Sequence, residues 1–433
     1  MLGIVSLFTD ASSEMIYPLV PLFVSALGSG AVVLGIIEGV AETTASVLKL
    51  VSGVVSDRLG KRKLLVAIGY ILSSAVRPFT GLVGSAWQIV FVRMIDRVGK
   101  GVRTAPRDAL IASSIDDNIR GRAYGFHRAM DHTGAMIGPL LAILALVLLV
   151  VGAGMTDTLL ALRWTFVLAA VPGACAVVTL VVFVRERVEA AGKPFSFSVK
   201  RFDRNFLRYL SIVVLFTLGN SSDAFLLFRV GEVIRTNDAV FSTILSTALV
   251  GPMVRQFGDL ATQKTLVNIL LVPLVWSFFH IIKAVLSTPF GSLSDRIGRK
   301  LVINIGWGIY ALVYLCFAVL DLVPAPWQVA ATFVLFAIYA LYYALTEGVE
   351  KAFVADLVKS DERGSAFGMY NFAVGLGALP ASIVFGLLYN AFGATAAFGT
   401  GASLAFLSML FLQILVREPP KQASSQDATR LQR

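Results

Sequence analysis

Long apolar stretches recur along the whole chain, separated by short polar segments. A helix needs roughly 20 apolar residues to cross the hydrocarbon core of a bilayer, and stretches of that length return from one end of the sequence to the other. Hydrophobic residues make up 57% of the 433 residues, and the mean hydropathy is +0.79. No segment of the sequence remains that could form a soluble domain. The sequence therefore predicts an all-α integral membrane protein.

The apolar stretches predict twelve transmembrane spans. Their expected bounds are 2–27, 32–56, 64–83, 86–113, 123–150, 159–184, 208–230, 266–288, 301–321, 325–352, 364–390 and 394–416. The first span starts without a basic leader and contains two acidic residues, so we do not expect a cleaved signal peptide.

The net charge of +10 is concentrated in alternate loops. Lys and Arg cluster after spans 2, 4, 6, 8 and 12, whereas the opposite loops are nearly free of them apart from the connection between spans 7 and 8. This is the positive-inside distribution, and it predicts a multi-pass protein of the cell membrane with both termini in the cytoplasm. The basic charge therefore reflects topology and does not indicate a nucleic-acid partner.

The sequence contains an internal repeat. The segment GVVSDRLGKR at 53–62 returns as GSLSDRIGRK at 291–300, and RGRAYG at 120–125 returns as RGSAFG at 363–368. Both pairs occupy the same place in their half, which predicts two pseudo-symmetric bundles of six helices. The expected division is 1–184 for the first bundle, 185–207 for a cytoplasmic linker, 208–416 for the second bundle and 417–433 for a cytoplasmic tail.

The outer connection between spans 7 and 8, at 231–265, is much longer than its counterpart near Gly28. Its middle, at 240–250, is apolar. We interpret it as an extended outer loop with two alternatives, a helix lying at the membrane interface or an outer lid, and the interfacial helix is favoured.

Both copies of the charged motif read Gly-x3-Asp-Arg-x-Gly followed by two basic residues. The first consists of Gly53, Asp57, Arg58, Gly60, Lys61 and Arg62, and the second of Gly291, Asp295, Arg296, Gly298, Arg299 and Lys300. The pattern resembles the first motif of the major facilitator superfamily, and the resemblance extends over nearly the whole chain. It implies the major facilitator fold and a gating role, in which the loop links cytoplasmic helix ends and stabilises one access state. A solvated topogenic cluster is the simpler alternative.

Two further motifs of that family are matched in part. In span 4, Arg97 resembles the family's motif arginine, while Lys100 and Arg103 stand where the family prefers glutamine and a small residue. In span 5 the residues that fit the family's exporter motif are Gly125, Gly134, Gly138 and Pro139. The last two glycines of that motif are replaced by Ala142 and Ile143. The resemblance favours export, and close helix packing through small residues is the alternative.

Span 4 has a charged face. At about 100° per residue its charged side chains fall within an arc of roughly 140°. They are Arg93, Asp96, Arg97, Lys100, Arg103, Arg107 and Asp108. Four of them near the membrane centre would cost about 10–14 kcal/mol against lipid. This face must therefore contact protein or water.

Other spans contain candidates for a substrate or proton pathway. They are Asp10, Glu14 and Tyr17 in span 1, His127 and Asp131 in span 5, Asn220 and Asp223 in span 7, His280 in span 8, and Glu347 and Glu350 in span 10. A single one of these groups could belong to an ion pair that only fixes helix register. The whole set, together with the face of span 4, favours function. The sequence does not determine the sign of the net charge in the cavity, since acids and bases are mixed. An organic anion and an amphipathic drug are therefore both compatible substrates.

These observations predict a secondary active transporter of a small solute, which works by alternating access and is driven by protons. Asp10, Glu14, Asp131 and Asp223 are the candidate coupling residues, with Arg97 as their electrostatic partner. Efflux or antiport is favoured, and proton-coupled import of an organic anion or metabolite is the alternative. The expected partners are the solute, protons and the lipid bilayer, with a monomer as the unit.

We expect neither a cofactor nor a metal, because the sequence has no Gly-rich phosphate loop for ATP and no His-Glu-x2-His spacing. An intramembrane enzyme built on His127, Asp131, His132 and Glu350 is a remote alternative, and a receptor that has lost transport is another. The enzyme has weak spacing support, and the receptor lacks an enlarged soluble region.

Overall fold

The computed structural model describes residues 1–59, 62–113, 120–184, 202–248, 250–359 and 363–418. The described residues are almost entirely helical and contain no strand. Most of the predicted linker, at 185–201, and most of the predicted tail, at 419–433, lie outside them. The division into two bundles separated by that linker therefore stays a prediction.

The first half of the chain forms eight helices among the described residues. They are α1 (Leu2–Ile16), α2 (Val20–Ala26), α3 (Ala31–Leu59), α4 (Arg62–Val76), α5 (Ala86–Ser113), α6 (Arg120–Val147), α7 (Thr158–Leu168) and α8 (Ala170–Phe183). A 3-10 turn, Tyr17–Leu19, separates α1 from α2, since Pro18 and Pro21 lack the N–H that a continuous helix requires.

The second half forms nine helices in the part of the chain that the structure describes. They are α9 (Arg204–Gly219), α10 (Ala224–Thr236), α11 (Asp238–Ser246), α12 (Val250–Arg255), α13 (Leu260–Ile297), α14 (Arg299–Ala318), α15 (Ala325–Thr346), α16 (Val349–Asp356) and α17 (Arg363–Leu415). Span 7 is thus interrupted between Gly219 and Ala224, and span 10 between Thr346 and Val349, where continuous helices were predicted.

Nine helical stretches of the described chain are long and apolar enough to cross a membrane. α17 counts once among them, although Gly393, with a φ of 81°, divides it at the point where spans 11 and 12 were predicted to separate. The interrupted pair α1–α2 and the charged α5 are not among the nine. When the pair α1–α2 and the helix α5 are added and α17 is counted as two spans, the described helices correspond to the twelve predicted spans in the same order. The all-helical membrane fold is confirmed.

The connection between spans 7 and 8 is shorter than predicted. α10 continues to Thr236, and the apolar side chains Val233 and Ile234 of this extension are buried. α13 begins at Leu260. The remainder contains α11 and α12, so the segment is largely helical, and its placement at the membrane interface stays a prediction. Phe241 of α11 is buried.

Two helix pairs join the halves: α3 packs along α17, and α6 packs along α13. The first pair is close at backbone level, since a Cβ on Gly39 would lie 2.8 Å from the Leu379 side chain and 3.0 Å from its Cα. Small residues permit such approaches between membrane helices. Between the two pairs, α1, α5, α10, α13 and α15 surround a polar interior.

Candidate functional site

A cavity of about 420 Å³ lies between the halves. Its lining includes ten Lys or Arg residues and seven Asp or Glu residues. The charged lining residues are Asp10, Glu14, Glu42, Lys49, Arg77, Arg93, Arg97, Lys100, Arg103, Arg107, Asp108, Arg128, Asp131, Asp223, Lys283, Glu347 and Lys351. Lipid could not accommodate such a set, and here it faces a polar space inside the protein.

The cavity brings together most of the predicted pathway residues. They are Asp10, Glu14, Tyr17, Arg93, Arg97, Lys100, Arg103, Asp131, Asp223, His280 and Glu347. Four predicted residues do not line it: Asp96 and His127 are buried beside it, and Asn220 and Glu350 line an adjoining second cavity.

The charged face of α5 is neutralised mainly by α3. Arg93 forms an ion pair of 2.8 Å with Glu38, and both side chains are buried. Arg97 lies 3.4 Å from Glu42, one turn further along α3. Arg97 was predicted as the electrostatic partner of Asp10, Glu14, Asp131 and Asp223, and its ion pair in the structure is with Glu42 of α3.

A second group of contacts joins α5 to the end of span 3. Asp96 pairs with Arg77 at 2.9 Å, and Arg77 also donates to the Thr9 carbonyl oxygen at 2.8 Å. Arg103 donates to Ser73 Oγ at 2.6 Å and lies over the Tyr70 ring at 4.6 Å. Asp96 is thus held in a buried ion pair, away from the cavity surface.

The two acids of α1 have different surroundings from those of α3. Trp276 Nε1 of α13 donates to Glu14 Oε2 at 2.7 Å, and the Asp10 carboxylate has no hydrogen bond or ion pair within the described part of the chain. Among those residues, neither acid has a cation within ion-pair distance. Tyr17 lies 3.3 Å from Ser222 Oγ, which in turn donates to Glu38 at 3.1 Å.

Basic side chains from both halves converge on Glu347. Lys283 Nζ of α13 lies 3.0 Å from Glu347 Oε2, and Arg128 of α6 pairs with the other oxygen. In the same helix as Arg128, His127 Nδ1 lies 3.5 Å from Asp131 Oδ2, as their one-turn spacing predicted.

The interruption of span 7 exposes polar groups to the interior. Asp223 accepts hydrogen bonds from Tyr339 at 2.6 Å and from Tyr343 at 2.9 Å. Asn220 donates to the Tyr342 hydroxyl at 3.2 Å. His280 lines the large cavity, and neither of its buried ring nitrogens is hydrogen-bonded to a described residue.

Sequence reasoning missed several charged residues of this site. Glu38, Glu42, Lys49 and Arg77 all lie in or beside the cavity, and none was a candidate. The signal was present, since Glu38 and Glu42 are two acids one turn apart in an apolar span, as are Asp10 and Glu14. The donor Trp276 could not be found in this way, because its role depends on contact between the halves.

The charged motif is described only in part. Gly60 and Lys61 lie outside the described residues. The surroundings of Gly53 and Gly291 and the side chains of Asp57, Arg58 and Asp295 also lie outside the described part of the structure. In the second copy Arg299 Nη1 lies 2.6 Å from Asp356 Oδ2 of α16 and donates to the Ala352 carbonyl oxygen. Gly298 has a φ of 105°, which favours glycine there. Arg62 begins α4, and Arg296 is exposed near the end of α13.

The glycine motif of α6 packs against α1. A Cβ on Gly134 would meet the Leu7 carbonyl oxygen, and one on Gly138 would lie 2.7 Å from Glu14 Cβ. Pro139 lies inside the helix. The surroundings of Gly125 are outside the described part of the structure. Gly138 therefore lies directly beside Glu14, one of the two acids of α1.

The residues of the enzyme alternative do not converge. Glu350 is hydrogen-bonded to Trp307 and Tyr370, whereas His127 pairs with Asp131. Within the described ranges no group of three or more His, Cys, Asp or Glu could hold a metal ion.

The fold and its polar cavity define a multi-pass membrane transporter of small molecules, and not an enzyme. The family model of the Major Facilitator Superfamily matches residues 2–254 and 238–433. The chain belongs to this family, and the resemblance found in its motifs is confirmed.

Similar known proteins include members of the same family. An uncharacterized MFS-type transporter of Methanocaldococcus jannaschii is 32% identical over 418 residues, which cover 95% of this chain and 93% of that protein. The multidrug resistance protein MdtH of Escherichia coli is 29% identical over 128 residues, 29% of this chain and 32% of MdtH. The crystal structure of a D-xylose-proton symporter has a TM-score of 0.69 at 15% identity, with 96% of this chain and 97% of that chain covered. This last likeness concerns the fold alone.

Proposed function

We propose that this transporter is a proton-coupled exporter, which exchanges a small solute for protons across the cell membrane. Its large cavity extends to Lys49, Arg107 and Lys351, toward the helix ends that bear the basic loops. The distribution of Lys and Arg predicts that these ends face the cytoplasm. The cavity in this structure would then be the cytoplasmic loading site of an alternating-access cycle.

The proposal rests on a difference between the acids of α1 and those of α3 and α5. Glu38, Glu42 and Asp96 each have an arginine as a fixed counter-ion. Asp10 and Glu14 have no such partner among the described residues and face the cavity. A carboxyl group without a fixed counter-ion can gain and lose a proton as its surroundings change from one access state to the other.

Asp131 and Asp223 complete the proposed proton pathway from the two sides of the cavity. Asp131 has His127 as its neighbour, and a histidine beside a carboxylate is suited to proton relay. Asp223 is held by tyrosine hydroxyls. Arg97, paired with Glu42 at the edge of the cavity, supplies positive charge near these groups.

The direction of transport is inferred from two observations. The glycine motif of α6, which in the family is associated with exporters, packs against α1, and its Gly138 lies beside Glu14. The partial similarity to a multidrug resistance protein points the same way. The exported solute binds in the cavity when it is open to the cytoplasm, and protons enter from outside.

Reconstitution into liposomes tests the proposal. A thermal-shift screen of organic anions, amphipathic cations and metabolites first identifies a compound that binds, and this compound is then used with an imposed pH gradient and a trapped pH indicator. We expect solute movement against its gradient with opposite proton movement. Solute flux that is indifferent to the pH gradient and to voltage would overturn the coupling.

Matched carboxamide variants separate coupling from folding. Asp10→Asn and Glu14→Gln should abolish proton movement while solute binding persists. The control is Asp259→Asn at the exposed start of α13, because this substitution also replaces a carboxylate by a carboxamide but lies outside the cavity. Coupled transport unchanged in both α1 variants would remove these acids from the mechanism.

A specific observation favours the second candidate, proton-coupled import of an organic anion. Lys49, Lys100 and Lys351 line the cavity without an ion pair to any described residue. An anionic solute would supply the missing counter-charge. Accumulation of a carboxylate inside liposomes, driven by inward proton movement, would decide for import and against exchange.

A further inference from the structure

A second cavity, of about 320 Å³, lies beside the large one. It is bounded by α3, α9, α14, α15, α16 and α17, and by the interruption of span 7. Its described lining contains four carboxyl groups and no Lys, Arg or His, in contrast to the ten basic residues of the large cavity. The four are Glu38, Glu42, Asp223 and Glu350. The described lining of the second cavity is therefore purely acidic, whereas that of the large cavity is predominantly basic, and the two cavities adjoin through the residues that line both, Tyr17, Glu42, Asp223 and Tyr343.

Two of the four carboxyl groups lack a basic partner among the described residues. Glu38 and Glu42 are paired with arginines of α5. Glu350 instead accepts from Trp307 Nε1 at 2.8 Å and from the Tyr370 hydroxyl at 2.5 Å, and Asp223 accepts only from tyrosines. Buried carboxylates are normally paired with a cation or a metal. A cationic ligand would supply what these two lack.

Aromatic rings form part of the remaining wall. Trp307 stacks on Phe216 with ring centroids 4.4 Å apart and an interplanar angle of 9°, and Tyr342 lies 6.0 Å from the same phenyl ring. All three line the cavity. The faces of such rings carry partial negative charge and attract ammonium groups within about 6 Å of the centroid.

Two serines contribute unused hydrogen-bonding groups. Ser46 and Ser382 line the cavity and are 6% and 3% exposed. Neither hydroxyl has a hydrogen-bond partner among the residues that the structure describes. Both hydroxyl oxygens are open to the cavity, so they can bond to a ligand that occupies it. A primary ammonium group, with three donors and no acceptor, matches hydroxyl and carboxylate oxygens.

We infer that the second cavity binds the ammonium group of an amine, and that the transported solute is an amine-bearing molecule. A bare metal ion would leave most of the space empty and would not use the aromatic wall. The inference rests on the proposed function only in naming the solute that is transported. The binding site itself is tested without measuring transport.

Isothermal titration of the purified full-length protein with three compounds of similar shape tests the binding site. The compounds are 2-phenylethylammonium, the neutral 2-phenylethanol and the anion phenylacetate. We expect the cation to bind at least about tenfold more tightly than the other two, as a cation–π contact together with an ion pair predicts. Equal affinity for the cation and the neutral alcohol would overturn the inference, whatever the result of the liposome experiment.

Variants locate the binding in this cavity. Glu350→Gln should weaken phenylethylammonium binding about tenfold, and Trp307→Phe should weaken it less, because a phenyl ring keeps the stack on Phe216. The control is Glu232→Gln, a carboxylate that is also bonded to a tyrosine, Tyr389, but lies outside this cavity. If Glu350→Gln fails to fold, the affinity of Trp307→Phe for the three compounds still tests whether the amine binds in this cavity. Unchanged affinity in a folded Glu350→Gln protein would contradict the assignment.

Discussion

The indole Nε1 of Trp276 donates a 2.7 Å hydrogen bond to Glu14, and this bond joins α13 of the second half to α1 of the first. The bond crosses the interface along which the halves of an alternating-access transporter must move. Its acceptor is one of the proposed coupling acids. The protonation of Glu14 and the relative position of the halves are therefore linked through a single contact.

Trp276→Phe should slow proton-driven transport about tenfold, since a hydrogen bond to a charged group is worth about 1.5–3 kcal/mol and Phe offers no donor. The rate of pH-driven solute movement in liposomes measures the effect. Trp87→Phe is the control, because Trp87 is 55% exposed on the outside of the helices. Equal rates in the two variants would contradict the role of the Trp276–Glu14 contact.

Glu38→Gln should destabilise the protein by about 3–5 kcal/mol, because it leaves Arg93 buried without its counter-ion. The Glu38 side chain is 1% exposed. Glu42→Gln is the matched control on the same helix: its side chain is 42% exposed and its ion pair is longer, so water can replace the partner of Arg97. We expect a clearly lower thermal midpoint only for Glu38→Gln.

A double substitution separates loss of the pair from loss of the glutamate. Glu38→Gln combined with Arg93→Met removes both charges, and it should recover much of the stability lost in the single variant. A double variant that is less stable than Glu38→Gln alone would show that the cost does not come from an unpaired arginine.

Tyr339→Phe should impair coupled transport, because it removes the shorter of the hydrogen bonds to Asp223. Tyr310→Phe is the control, since Tyr310 is equally buried in the same aromatic cluster but donates to the Gly219 carbonyl oxygen. The ratio of protons to solute moved in liposomes is the measurement. An unchanged ratio in Tyr339→Phe would remove the tyrosine from the proton pathway.

The sequence predicted the spans and the charged face of α5, because both depend on local hydropathy and on helix periodicity. It did not predict that Arg93 and Arg97 pair with Glu38 and Glu42. Their partner choice is fixed by the packing of α3 on α5, which no local pattern encodes. The second cavity was not predicted for the same reason. Glu350, Trp307 and Tyr370 lie on three different helices and meet only in the folded chain.

Gly134→Ala should destabilise the contact between α6 and α1 by about 1–3 kcal/mol, as overpacking in a close-packed interior does. The added methyl group would meet the Leu7 backbone, which cannot turn aside as a side chain can. Gly399→Ala is the matched control within α17: nothing lies within 4 Å of its added Cβ, so it should be neutral or stabilise by about 0.5–1 kcal/mol. Thermal unfolding of the two variants provides the comparison. Because α1 carries Asp10 and Glu14, displacement of this helix should also reduce proton coupling in Gly134→Ala, and a variant that loses stability but keeps full coupling would show that the acids act independently of this packing.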